Sequence, residues 1–305
     1  MSATTVRVHE FRAMGSRCQV VVDGPLGLTD RAEARVRALE ETWSRFVADS
    51  EISRINERPG RPVTVGSATI DLFRRAEFAR VSTGGLFDPM VLDHLIAAGY
   101  DRDHRELVPA QGTAQPRTGA ARPVGTFRVD GDTVTVEGGR FDPGGLGKGL
   151  AADLVAEELL EVGAAGCYLD LGGDIRFAGE PIDGERWRVH VDDPLGVAPV
   201  CTLGLPPGGG GVATSGVLTR RWHHDGADRH HLIDPRTGEP ADTALASVTV
   251  IAGATWWAEV MAKSALVAGA DDAESLLHEG GVTAILVAKN GKRTVVGDLE
   301  EVGGS

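Results

Sequence analysis

Phe141-Asp142-Pro143-Gly144-Gly145-Leu146-Gly147-Lys148-Gly149 is the stretch from which the rest of the chain is read. Its four glycines free the backbone to approach a ligand, and Lys148 opens a helix predicted over 148–161. Helix-start N–H groups and an ammonium converge at such a junction, so phosphate is its natural guest. The alternative is an ordinary glycine-rich turn. Neither common nucleotide loop fits. Asp142 stands where a Walker-type loop has its first glycine, and Gly149 where it has a metal-binding Ser or Thr. In a dinucleotide fingerprint begun at Gly145, Leu150 takes the last glycine position.

Outward from this loop, a strand over 167–171 leads into the turn Gly172-Gly173-Asp174, where backbone can pack against a flat ligand or a neighbouring loop. Upstream, residues 127–129 and 134–136 alternate across Asp130-Gly131-Asp132 as a hairpin. At the start of the chain, Val6, Val8, Cys18, Val20 and Val22 alternate on either side of the corner Ala13-Met14-Gly15-Ser16. Val36, Leu39, Trp43 and Phe46 recur at helical spacing behind Thr29 or Asp30 as N-cap. A second helix is predicted over 68–81, closed by Gly84-Gly85. Strands over 186–191 and 247–251, a helix over 255–268 and a strand over 283–288 complete the pattern. Strands outnumber helices and often sit in hairpins, which points to an α+β fold with mixed, largely antiparallel sheets and packed helices. Residues 108–125 lack apolar periodicity and read as a mobile surface loop.

A chain of 305 residues with 42% hydrophobic residues can bury a large core. The 44 acidic against 31 basic residues, a net charge of -13, repel nucleic acid and anionic lipid, so neither is an expected partner. No apolar run approaches the ~20 residues that span a bilayer. Residues 1–24 show no basic-then-apolar leader, and a cytoplasmic location is the expectation. Cys18, Cys167 and Cys201 are scattered without a CxxC pair, which suits reduced thiols acting as small hydrophobes.

Phe87-Asp88-Pro89 with Leu92 is echoed by Phe141-Asp142-Pro143 with Leu146, and Ile233-Asp234-Pro235 resembles both. The echo reads either as a remote duplication or as three tight turns. Ala213-Thr214-Ser215-Gly216 and the segment from His230 to Gly238 are rich in donors, acceptors and turn formers.

Together these segments resemble the ApbE-type flavin transferases, the FAD:protein FMN transferases, over about 11–288. Five ordered blocks carry the resemblance: Met14-Gly15-Ser16, Leu86-Phe87-Asp88-Pro89, the loop and helix from Asp142 to Asp153, Gly172-Gly173-Asp174, and Thr214-Ser215-Gly216 with the turn from His231 to Gly238. The resemblance implies a T-fold-like α+β architecture in one domain over 1–305. It implies FAD in a cleft, with its pyrophosphate near a divalent metal, usually Mg2+. It also implies transfer of FMN through a phosphoester to a Ser or Thr of an acceptor flavoprotein, with AMP released. By matching position, Met14 and Phe46 would contact the flavin or adenine rings, and Leu86, Phe87 and Asp88 would line the cleft. Gly144, Lys148 and Leu232 would complete the FAD site, and Gly147 would turn its carbonyl to the metal. Read as ordinary structure, Met14 is core and Phe46 closes a helical stripe. His231 is the candidate for relaying the acceptor's proton, because imidazole titrates near working pH.

One block departs from the family. Its metal site is completed by a helix reading roughly Ala-Asp-Ala-Leu-x-Thr-Ala, whereas Ala258-Glu259-Val260-Met261-Ala262-Lys263-Ser264 stands here. Glu259 and Lys263 share a helix face and can pair, and an ammonium cannot coordinate a metal. Three readings follow. On the first, Lys263 joins the catalytic groups by taking part of the metal's place; on the second, Glu259 and the Gly147 carbonyl still hold Mg2+. On the third, transfer is lost, leaving an FAD-binding protein or an FAD pyrophosphatase. A flavin oxidoreductase would need a second nucleotide motif, and the sequence shows none.

Overall fold

The alternation around the Ala13–Ser16 corner forms a hairpin: β1 (Thr5–Ala13) and β2 (Ser16–Gly24) pair in register up to Ala13 and Ser16. Met14 and Gly15 between them have φ of 51° and 68°, the pair of positive values that suits the twist of a two-residue hairpin loop. In the computed structural model, which describes residues 5–102, 106–110, 124–182, 184–196 and 198–299, this hairpin is the edge of an eight-stranded sheet. The sheet continues through β3 (Gly166–Leu171), β4 (Asp174–Gly179), β5 (Gly208–Gly216), β6 (Leu245–Ala252), β7 (Thr283–Ala288) and β8 (Arg293–Val296). Its spatial order is its chain order, and every neighbouring pair is antiparallel.

Helices α1 (Leu28–Trp43), α3 (Gly147–Glu161) and α4 (Thr255–Ala268) pack on one face of this sheet, with α2 (Ser67–Ser82) against the hairpin of residues 126–137 and α5 (Ala270–Glu279) beside α4. The period-two alternation sends Val248, Val250, Ala284 and Leu286 towards α4. Their neighbours Ile251, Ile285 and Val287 point the other way, onto Trp187, Val189 and Leu203 of a separate hairpin. The α+β class and its antiparallel sheets are therefore as expected.

Two local expectations are corrected, and one strand went unread. Helix α1 starts behind Gly27 at φ 84°, so Thr29 and Asp30 lie in its first turn and neither is the N-cap. The helix ends at Ser44 in an extended conformation, which leaves Phe46 beyond it and 50% exposed, outside the core stripe. The glycine run from Gly208, turn-like in composition, is an interior strand. A methyl on Gly211 would lie 2.4 Å from the Thr255 Cα, so bare backbone there lets the start of α4 settle onto the sheet. Cys18 and Cys167 are buried free thiols, and burial pushes them up to about 11 and about 12. Most of the expected loop at 108–125, residues 111–123, lies outside the described residues. No helix among the described residues is long and apolar enough to cross a membrane.

The starts of α3 and α4 meet in a reciprocal cap. Asp153 of α3 accepts the N–H groups of Thr255 and Trp256 at 3.0 Å each, and Glu259 of α4 accepts the N–H of Gly149 at 2.9 Å. Each helix thus satisfies backbone donors that the other leaves without intrahelical partners. The approach requires Gly149, because a Cβ there would sit 2.7 Å from the Thr255 carbonyl oxygen and the Trp256 nitrogen. Gly149→Ala is expected to lower the unfolding free energy by about 3 kcal/mol despite its better helix propensity, since rigid backbone opposes the methyl. Urea denaturation checks this; an unchanged or higher midpoint would refute the close-approach argument.

Candidate functional site

A cavity of about 600 Å³ opens beside the β1–β2 turn. It is walled by that turn, the segment after α1, residues 86–89, the glycine loop with the first turn of α3, Arg220, residues 231–233, and Lys263 of α4. Met14, Phe46, Leu86, Phe87, Asp88, Gly144, Gly147, Lys148, His231, Leu232 and Lys263 all line it. Glu259 does not: it lies beneath, 1% exposed. The Asp-Pro echo resolves locally. Asp88 accepts the Met90 N–H and Asp234 the Arg236 N–H, each at 2.9 Å, and Asp142 accepts the Gly144 N–H. These are the tight turns in which Asp serves as local acceptor. The Gly172-Gly173 turn packs on a neighbouring loop: a methyl on Gly172 would lie 2.5 Å from the Ser16 Oγ.

Positive charge in the cavity comes mainly from side chains. Two of the backbone donors expected at the helix start are spent within the protein: the Gly147 N–H goes to the Pro143 carbonyl and the Gly149 N–H to Glu259. Lys148 is held by Asp174, with its Nζ 3.6 Å from Glu259 Oε1. Lys263 Nζ donates to Glu259 Oε1 at 3.1 Å and to the Gly144 carbonyl at 3.0 Å. Burial would raise the Glu259 carboxyl, but Lys148 and Lys263 hold it below the usual carboxylate range. Burial lowers the Lys148 ammonium to about 8. Asp142, buried under the loop, is pushed up by desolvation against the opposing pull of Arg45.

Three groups in the wall escaped sequence reasoning. Arg45 lies 4.3 Å from the Phe46 ring and 4.8 Å from the Tyr100 ring, while its Nε is 3.5 Å from Asp142 Oδ1. Tyr100 in turn stacks on Trp222. Arg220 adopts φ 48° and donates from Nη2 to Ser16 Oγ at 3.1 Å. Arg45 is next to Phe46 in sequence, but no spacing marks Tyr100 or Arg220, which reach the cavity only through the fold.

His231 lines the cavity, and its Nδ1 is buried without a hydrogen-bond partner among the described residues. Its expected titration near working pH is corrected: burial, then Arg220, Lys263, His230 and Lys148, hold the ring neutral well below the usual histidine range. The neighbouring His230 is structural. Its Nδ1 accepts the Leu232 N–H at 3.3 Å and its Nε2 lies 3.1 Å from the Ala241 carbonyl, a pairing that only the neutral ring satisfies. Burial lowers it to about 4. Between that value and an unfolded value near 6.5, the unfolded chain binds the extra proton. The stabilisation is complete above about pH 6.5 and is lost as pH falls towards 4, by about 3 kcal/mol in all. Denaturation of the protein and of His230→Gln at several pH values measures the term. The gap between the two proteins should narrow across that window, and a constant gap would remove His230 as its source.

The ApbE family model matches residues 14–286. An FAD:protein FMN transferase of Treponema pallidum is 30% identical, with 92% of this chain and 85% of that protein covered. One from Vibrio cholerae serotype O1 is 26% identical, over 83% and 78% of the two chains. Among solved structures, the ApbE protein of Thermotoga maritima superposes with a TM-score of 0.85 at 24% identity, covering 98% of this chain and 99% of that one. The apo flavinyl transferase ApbE of Pseudomonas stutzeri gives 0.82 at 24% identity, covering 98% and 97%. The structural likenesses carry the fold, and the family match carries descent: this chain belongs to the ApbE family.

Proposed function

We propose that this chain is an FAD:protein FMN transferase, working as one unit over 1–305. The observation that carries the reading is the convergence, on one cavity, of an apolar wall, two lysines and a neutral imidazole. Met14, Phe46, Leu86, Phe87 and Leu232 offer flat and apolar surface to the flavin or adenine rings. Phe46, half exposed and outside any helix, is free to lie on a ring. Lys148 faces the pyrophosphate, Gly144 lets the loop backbone approach it, and Asp88 braces the wall through its Met90 turn.

In the reaction, the Oγ of an acceptor Ser or Thr attacks the FMN phosphorus. The new P–O bond forms as the pyrophosphate P–O bond breaks, and AMP leaves with its phosphate. His231, held neutral, takes the hydroxyl proton. The negative charge of bound FAD raises the affinity of its ring for that proton at the moment it is needed. Lys148 offsets the charge gathered on the leaving phosphate.

The Glu259 side of the expected metal site does not suit a divalent ion. Such an ion takes several oxygen ligands, but both Glu259 oxygens are already engaged, one by the Lys263 ammonium and one by the Gly149 N–H. Lys148 adds a second ammonium alongside. Among the described residues no group of three or more His, Cys, Asp or Glu side chains is placed to hold a metal.

The test is incubation with FAD and a peptide bearing a Ser/Thr flavinylation motif, following AMP and peptide mass. Transfer gives peptide plus FMN with equal AMP. AMP without modified peptide would make the chain a pyrophosphatase, and bound but intact FAD across several acceptor peptides would make it a binding protein. His231→Gln should lower turnover by about 10²- to 10⁴-fold with FAD affinity nearly unchanged. Unaltered turnover would remove His231 from the proton path.

A further inference from the structure

We propose that the Lys263 ammonium is a resident cation of the cavity, and that this chain binds a pyrophosphate ligand without any divalent ion. The inference rests on the flavin reading above only for the identity of that ligand. Lys263 rises from α4 and is fixed at its tip by two oxygens, Glu259 Oε1 at 3.1 Å and the Gly144 carbonyl at 3.0 Å. A carboxylate and a loop carbonyl are oxygen donors of the kind a hard cation seeks, and here a covalently tethered cation has them. The loop backbone runs against its stem. A methyl on Gly145 would lie 2.6 Å from the Phe87 ring, so the bare backbone makes room for that aromatic, and it would meet Lys263 Cδ at an ordinary contact distance of 3.5 Å.

The placement of the charges supports the same conclusion. Asp174 answers Lys148 and Glu259 answers Lys263, so the four groups balance, but Glu259 is 1% exposed and lies beneath while the Lys263 ammonium lines the cavity. Arg220 adds a further cation to the same wall, anchored to Ser16. A divalent ion placed at these oxygens would have to displace Lys263 and sit beside Lys148. An ammonium tethered to the protein need not be recruited from solution, so the cavity's charge is independent of metal supply.

The experiment measures FAD binding by flavin fluorescence in chelator and in excess Mg2+, for the protein, Lys263→Met and Lys263→Arg, with inorganic pyrophosphate as a second ligand followed by calorimetry. The expected result for the unmodified protein is an affinity equal within about twofold in the two media. Lys263→Met is expected to weaken both ligands about 10- to 100-fold, the range of a lost charge-assisted hydrogen bond, and Lys263→Arg to retain most of the affinity. Binding by the unmodified protein that collapses in chelator would overturn the proposal without recourse to any variant. So would Lys263→Met binding as tightly as the parent. Pyrophosphate bound in chelator but FAD bound in no condition would count against the flavin reading and leave the resident cation standing. Failure of both ligands to bind in chelator would overturn it.

Discussion

Two buried carboxylates hold the site together. Glu259 and Asp153 exchange caps between the first turns of α4 and α3, and each would be costly to bury alone. Glu259 is sustained by the Gly149 N–H and two ammoniums, and Asp153 by two N–H groups with Arg176 at 3.5 Å. The same contacts that neutralise Glu259 place Lys148 and Lys263 at the cavity. Folding and charge placement are therefore one problem here: the lysines that face a ligand are also those that make the buried acid tolerable.

Glycine serves three different ends around this clamp. Gly149 allows two helix starts to touch, Gly211 allows α4 to lie on the sheet, and Gly172 allows the β3–β4 turn to pack on Ser16. In each case the missing side chain makes room for backbone or a short side chain. Only Gly172, at φ 76°, also needs the left-handed region. The resulting closeness brings Ser16 to Arg220, and so extends a packing device into the cavity's electrostatics.

The cavity's mixture of cations has a chemical consequence for its histidine. Near Arg220, Lys263 and Lys148, imidazole stays deprotonated until anionic charge enters. On the proposed mechanism, such a base strengthens only when its substrate is bound. The sequence offered His231 for its intrinsic titration range, and the packed environment replaces that range with one set by burial and neighbouring cations.

Much of the fold was legible in the chain. Apolar alternation marked β1 and β2, helical spacing marked most of α1, and the bounds read for β3, β6, β7, α3 and α4 fall close to the observed ones, because such patterns are local. The glycine loop and its lysine marked a segment that lines the cavity, since loop flexibility and charge are properties of short segments. The strand β5 was hidden because its glycines answer to Thr255, far away in sequence, and strand propensity carries no trace of that contact. Arg45, Tyr100 and Arg220 were hidden for the same reason: each gains its place through partners on other elements. The sequence by itself determined most of the segments that form elements and that Lys263 could pair with Glu259 one helical turn away. Only the tertiary structure decided where that pair's charge is directed, because the Gly144 carbonyl and Lys148 come to it from a different helix and loop.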